Sequence, residues 1–138
     1  MFILTFRSRL KVGAIILNDK KILVVRKYVK GHNEFIIPGG KKEGDEKPLE
    51  TLQRELKEEL SIDLKEATFF KRFEDIAVFE NIPIIMDVYE VSYSGTIKAD
   101  SEIKEYIWVS KDYFQEGINL GSVLSKHIIP QLVSKGKM

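Results

Sequence analysis

Residues 54 to 59 read Arg-Glu-Leu-Lys-Glu-Glu. At about 100° per residue, a helix brings Glu55, Glu58 and Glu59 onto one face and points Arg54 and Lys57 elsewhere. Such a charge run is commonly a solvated surface laced with ion pairs. Glu50 with Arg54, and Arg54 with Glu58, suit that account. Glu59 does not. Its neighbours four residues away are Glu55 and Asp63, and those three away are Leu56 and Ile62, so no cation lies in reach along the helix. Like charges at this spacing cost about 0.2–0.5 kcal/mol per pair. A bound dication would turn that cost into a ligand set. Oxygen donors without His or Cys select Mg²⁺ or Mn²⁺ before zinc.

The segment ahead of the carboxylates carries Pro38-Gly39-Gly40 and then the acids Glu43, Asp45 and Glu46. Paired glycines let backbone groups approach a ligand closely. The loop is no phosphate-cradling Walker sequence, because Asp45 and Glu46 follow Gly44 where Lys and Ser or Thr would be needed. Its glycine spacing is not that of a dinucleotide fingerprint either. An acidic loop repels phosphate unless cations intervene, which points to metal-bridged phosphate chemistry.

The elements that must position these groups follow from periodicity. Leu49, Leu52, Leu56 and Leu60 form an apolar stripe behind Pro48, predicting a helix over 48–60. Strands are expected at 12–17 and 21–27, paired as a hairpin through Asn18-Asp19-Lys20, and again near 68–80, 84–93 and 104–109. Pro83 should stand at a strand start or edge. A last helix is expected near 120–134, with Pro130 kinking or ending it. The mixture predicts an α/β or α+β class with a mixed sheet.

Composition narrows the chemistry. The 138 residues suit one domain, 1–138, and a net charge of +1 gives no strong field to recruit nucleic acid or an anionic membrane. With no cysteine there is no disulfide framework, thiolate metal site or Cys nucleophile, and two histidines exclude a His-rich site. No apolar run approaches a membrane span, and Arg7, Arg9 and Lys11 interrupt the N-terminal apolar residues, so a cytoplasmic protein is expected.

Gly40, Glu46, Arg54-Glu55-Leu56-Lys57-Glu58-Glu59 and Ile62 fall at the spacing of the Nudix box, G-x5-E-x7-R-E-U-x-E-E-x-G-U, where U is aliphatic. The sequence over residues 40–62 resembles that motif at every defined position except Ser61, which stands where the motif has glycine. The resemblance implies a Nudix-type α/β/α sandwich with a mixed central β-sheet. It implies Glu55, Glu58 and Glu59 as metal-binding, catalytic carboxylates, the Gly39 carbonyl as a backbone metal ligand, and Arg54, Glu46 and Gly40 in support. Ser61 takes a left-handed conformation less readily than glycine, so a different helix end is expected.

The same resemblance implies Mg²⁺-dependent hydrolysis, with Mn²⁺ as a substitute, of the pyrophosphate linkage of a nucleoside diphosphate derivative. A nucleoside triphosphate giving monophosphate and pyrophosphate is the leading reading. An ADP-ribose or nucleotide-sugar pyrophosphatase is the alternative, and a non-catalytic nucleotide-binding module the second alternative. The expected partner is a small nucleotide, with no stable nucleic-acid or membrane binding. Many small relatives dimerise, which leaves a homodimer open.

MutT-like members of this family carry a loop glutamate ahead of a Trp strand that completes the metal site or acts as base. Glu102, six residues before Trp108, has that spacing, with Glu105 and Asp100 as substitutes and a plain surface acid as the other reading. Arg26 and Lys27 end the second strand and are candidates for phosphate contact or simple solvation. Phe35 and Trp108 are expected in the core. His32 and His127 are assigned no role.

Overall fold

Strand β1 (Leu10–Ile15) sends Val12 and Ala14 to one side and Ile15 to the other, all buried. Strand β3 (Lys21–Lys27) does the same with Leu23 and Val25 against Ile22 and Val24. Strands buried on both faces belong to a middle layer. Leu52, Leu56 and Leu60 of helix α1 (Pro48–Leu60) cover one side. Leu124, Ile128, Ile129 and Leu132, near the C-terminus, cover the other. This computed structural model describes residues 10–76 and 83–138, and its helices flanking sheet are the mixed α+β class expected.

The remaining strands are β2 (Leu17–Asn18), β4 (Gly39–Lys41), β5 (Asp63–Ile76), β6 (Pro83–Ser94) and β7 (Ile103–Val109). One sheet has the order β4-β1-β6-β5 and is mixed, since β1 runs parallel to β6 and antiparallel to β4. A second, antiparallel sheet has the order β2-β3-β7. The strand expected over 12–17 is thus divided at Ile16 between two sheets. The expected hairpin keeps only the pairs Leu17↔Ile22 and Asn18↔Lys21. Its turn has Asp19 and Lys20 at φ 51° and 62°, the hand that matches the twist of paired strands.

Strand β5 begins at Asp63, ahead of the expected 68, because Asp63, Leu64, Glu66 and Ala67 already pair with β6, with a bulge at Lys65 that breaks the alternation. Residues 77–80 of that expectation lie outside the described residues. Pro83 opens β6, as expected.

Helix α1 has the expected bounds, but Leu49 is 43% exposed, so the buried stripe starts at Leu52. A second buried line, Thr51, Glu55 and Glu59, runs beside it. The expected change at the helix end does not occur. Ser61 adopts φ 59° and ψ 30° and donates its N–H to the Lys57 carbonyl at 3.1 Å.

The last helix starts at Val123 as a wider π-helical turn through Ile128, continuing as α2 (Ile129–Ser134). Ile129 donates to the Leu124 carbonyl five residues back. The widening carries the chain past Pro130, which has no N–H to give and whose ring crowds the preceding turn. Among the described residues no helix is long and apolar enough to cross a membrane.

Candidate active site

The Pro-Gly-Gly segment is pressed between β1 and α1. Pro38 accepts the Ala14 N–H at 3.0 Å, and β4 then pairs Gly39 with Gly13 and Gly40 with Val12. Gly39 has φ 142°, and a Cβ there would stand 2.1 Å from the Val12 carbonyl oxygen. A Cβ on Gly40 would stand 2.5 Å from the carboxyl carbon of Glu55. Both glycines are therefore demanded by space, the first by a strand and the second by a carboxylate.

Glu59 is 1% exposed. Its Oε1 accepts the Gly39 N–H at 3.2 Å, while its Oε2 accepts no hydrogen bond. Burial pushes its pKa up to about 8, with Glu55 and Glu102 adding to the rise and Lys27 and the Gly39 N–H opposing it. Glu55 is also raised, chiefly by burial, against the pull of Arg54.

A cation does reach Glu59, from another element. Lys27 Nζ stands 3.8 Å from Glu59 Oε2 and 3.1 Å from Glu102 Oε1, with its side chain 18% exposed. Burial works against the ammonium, but Glu59, Glu102 and Glu55 outweigh it and raise its pKa. Strand alternation could have found this residue, since Lys27 follows Leu23 and Val25 on the side facing α1.

Arg54 does not point away from the carboxylates. Its Nη1 donates to Glu55 Oε1 at 2.8 Å and lies 3.6 Å from Glu58 Oε2. Its Nε and Nη2 grip Glu46 at 2.7 and 3.0 Å, and Nη2 also donates to the Lys41 carbonyl at 3.0 Å. The expected Glu50 partner is instead taken up by the helix start, where it accepts the Lys47 N–H at 2.8 Å. Glu46 further accepts from the Thr51 hydroxyl and the Glu43 N–H. These donors, Arg54 first, hold its pKa down at about 2. Loop and helix are thereby locked together, with Glu58 at the open rim, its side chain 54% exposed.

The loop acids separate cleanly. Glu102 joins Lys27, whereas Glu105 pairs with Arg26, whose guanidinium lies 5.2 Å over the buried Phe35 ring. Asp100 donates its N–H to the Glu59 carbonyl and turns its carboxylate to the Ser101 N–H. Arg26 therefore stands away from the carboxylates that Lys27 meets. Trp108 packs partly buried against the α1 core, His32 meets Glu34, and His127 stacks on Phe73.

A cleft opens beside this cluster, running from Lys27, Gly39 and Gly40 past Ile37 and Met86 to Leu124. Its walls are mainly apolar, and a Cβ on Gly13, which also lines it, would stand 2.4 Å from the Ile37 side chain.

Among the described residues no three Asp, Glu or His side chains close into a ready metal cage. Arg54 draws Glu55 and Glu58 one way, and Lys27 draws Glu59 and Glu102 another. The donor chemistry nevertheless fits a hard dication. It is all oxygen, and it includes a buried carboxylate oxygen accepting no hydrogen bond.

Comparison with known proteins bears on the family and the fold. Residues 7–129 match the family description "NUDIX domain". The chain is similar to a MutT NUDIX hydrolase from Burkholderia pseudomallei, at 26% identity over 75% of this chain and 84% of that one, with a TM-score of 0.67. It is similar to the E. coli ORF135 protein at 27% identity, over 78% and 76% of the two chains, with a TM-score of 0.64. A MutT protein from Methanosarcina mazei Go1 shares the fold at 22% identity, over 94% and 95% of the chains, with a TM-score of 0.76. Curated proteins gave no match.

Proposed function

Since the chain belongs to the Nudix family and is a MutT-like Nudix hydrolase, we propose that it hydrolyses the pyrophosphate linkage of a nucleoside triphosphate, releasing monophosphate and pyrophosphate with Mg²⁺. The observation that carries this is Glu59, a buried carboxylate whose Oε2 accepts no hydrogen bond, set near Glu55 and Glu102 and bonded to Gly39, which lines an apolar cleft.

Glu55, Glu58 and Glu59 would hold the metal, with the Gly39 carbonyl and Glu102 completing the set. When bound, Mg²⁺ supplies charge neutralisation of the phosphates and activation of a water. The chain's own residues do the rest. Gly39 fixes Glu59 through its N–H. Arg54, itself fixed by Glu46, orients Glu55 and Glu58. Lys27 offers a cation to phosphate oxygens. The cleft walls exclude water from the nucleoside and fix its position relative to the carboxylates. We place this activity in the cytoplasm, on free nucleotides.

The test is release of phosphate-containing products across a panel of nucleoside triphosphates, ADP-ribose and a nucleotide sugar, with and without Mg²⁺. Turnover of a triphosphate that Glu59→Gln abolishes supports the reading. Turnover of ADP-ribose or the sugar nucleotide alone would move the substrate and keep the reaction. No turnover of any member would leave a nucleotide-binding module.

A further inference from the structure

The carboxylate cluster already contains a cation. Lys27 is held at Glu59 Oε2, the buried oxygen that accepts no hydrogen bond, and at Glu102 Oε1. These oxygens belong to two of the proposed metal-binding residues. From this placement we infer that Lys27 is a counter-ion that competes with the metal for Glu59 and Glu102 and must move off them when the metal binds. The inference rests on the functional reading above.

Charge and distance carry the argument. Carboxylate oxygens bind Mg²⁺ at about 2.0–2.1 Å. A dication on Glu59 Oε2 would therefore lie within about 6 Å of Nζ as it now stands, 3.8 Å from the same oxygen. Two positive groups that close, in a poorly solvated site, repel strongly. Lys27 relieves this by leaving the carboxylates it now meets at 3.8 and 3.1 Å. Its long stem lets the ammonium swing from the carboxylates to a nearby acceptor. The mouth of the cleft, which Lys27 lines, is where substrate phosphate would offer one. The residue thus screens the buried carboxylates from one another until the metal takes over that role. It also couples the two ligands, because phosphate that captures the ammonium removes a competitor of the metal.

The experiment is a Mn²⁺ titration without nucleotide, following free Mn²⁺ by electron paramagnetic resonance. It compares the unaltered protein with Lys27→Met, which keeps an apolar stem, and Lys27→Arg, which keeps the charge. Lys27→Met is expected to bind Mn²⁺ at least tenfold more tightly, and Lys27→Arg about as the unaltered protein does. Equal or weaker binding by a folded Lys27→Met overturns the inference, as does absence of Mn²⁺ binding by all three proteins.

If Lys27→Met fails to fold, the unaltered protein decides. The ¹⁵N resonance of the Lys27 ammonium should move on adding Mg²⁺, and an unmoved resonance at saturating Mg²⁺ overturns the inference. The hydrolase reading fails on separate grounds, by the absence of Mg²⁺-dependent turnover on the nucleotide panel.

Discussion

Gly40 leaves room for the Glu55 carboxylate, whose carboxyl carbon would meet a Cβ on that glycine at 2.5 Å. The neighbouring Gly39 is constrained differently, by φ 142° and the Val12 carbonyl. Two adjacent glycines should therefore fail in different ways. Gly40→Ala should fold and cut turnover at least tenfold by displacing Glu55. Gly39→Ala should lose about 2 kcal/mol or more of stability through backbone strain and clash. Urea unfolding and hydrolysis assays on the two variants check this, and equal effects on both quantities would contradict it.

Glu59 predicts a pH dependence of stability in chelator. Its folded pKa, about 8, lies above the unfolded carboxylate value. Between those values the folded protein keeps a proton that the unfolded chain has released. Its contribution therefore falls as pH rises from about 4.5 to about 8, and levels off above. Glu59→Gln lacks this loss, so its stability relative to the unaltered protein should improve across that window. Urea unfolding in chelator from pH 5 to 9 measures the difference, and the opposite trend would sink it. The same variant should lose roughly a hundredfold or more in turnover.

Metal stabilisation should have the complementary sign. Carboxylates bind metal in the deprotonated form. Millimolar Mg²⁺ or Mn²⁺ should raise the Tm, and by more at pH 8 than at pH 6. Thermal melts at the two pH values decide. An equal rise at both would detach metal binding from Glu59.

Glu102 and Glu105 make a matched pair, since one joins Lys27 and the other Arg26. Glu102→Gln should lower kcat at least tenfold. Glu105→Gln should leave kcat within about twofold and cost less than about 1 kcal/mol, as partly exposed pairs do. The reverse pattern in steady-state assays would exchange their roles.

Ser61 stands in a left-handed conformation that costs a side-chain-bearing residue roughly 1–2 kcal/mol. Ser61→Gly should therefore raise stability by about 0.5–1 kcal/mol and leave turnover unchanged. A destabilised variant in urea would show that the serine makes a compensating contact.

Helix α1 and its carboxylates were legible in the sequence because both rest on local spacing. The counter-charges of Glu59 were not. Along the helix Glu59 has only acids and apolar neighbours, and its cation arrives from β3, 32 positions earlier in the chain. Arg54 departs from the helical-wheel expectation for a related reason. A helical wheel gives the direction of its Cβ, whereas its long side chain folds back to Glu46 and Glu55. Strand membership was hidden too. The apolar run after Lys11 gives no sign that Ile16 separates two sheets, because both sides of β1 and β3 are buried.

Helix α1 is buried in adjacent pairs, Thr51-Leu52, Glu55-Leu56 and Glu59-Leu60, repeating every four residues. One member of each pair after the first is an acid, and its neighbour is a core leucine. The rotation that seats the leucines is thus the rotation that aims the glutamates. An insertion or deletion of one residue inside the helix would turn everything beyond it by about 100°. It would remove the core and the carboxylates in one event. Along this helix, exposed positions such as Leu49 and Lys57 are open to substitution, whereas the register of the buried pairs is not open to a shift.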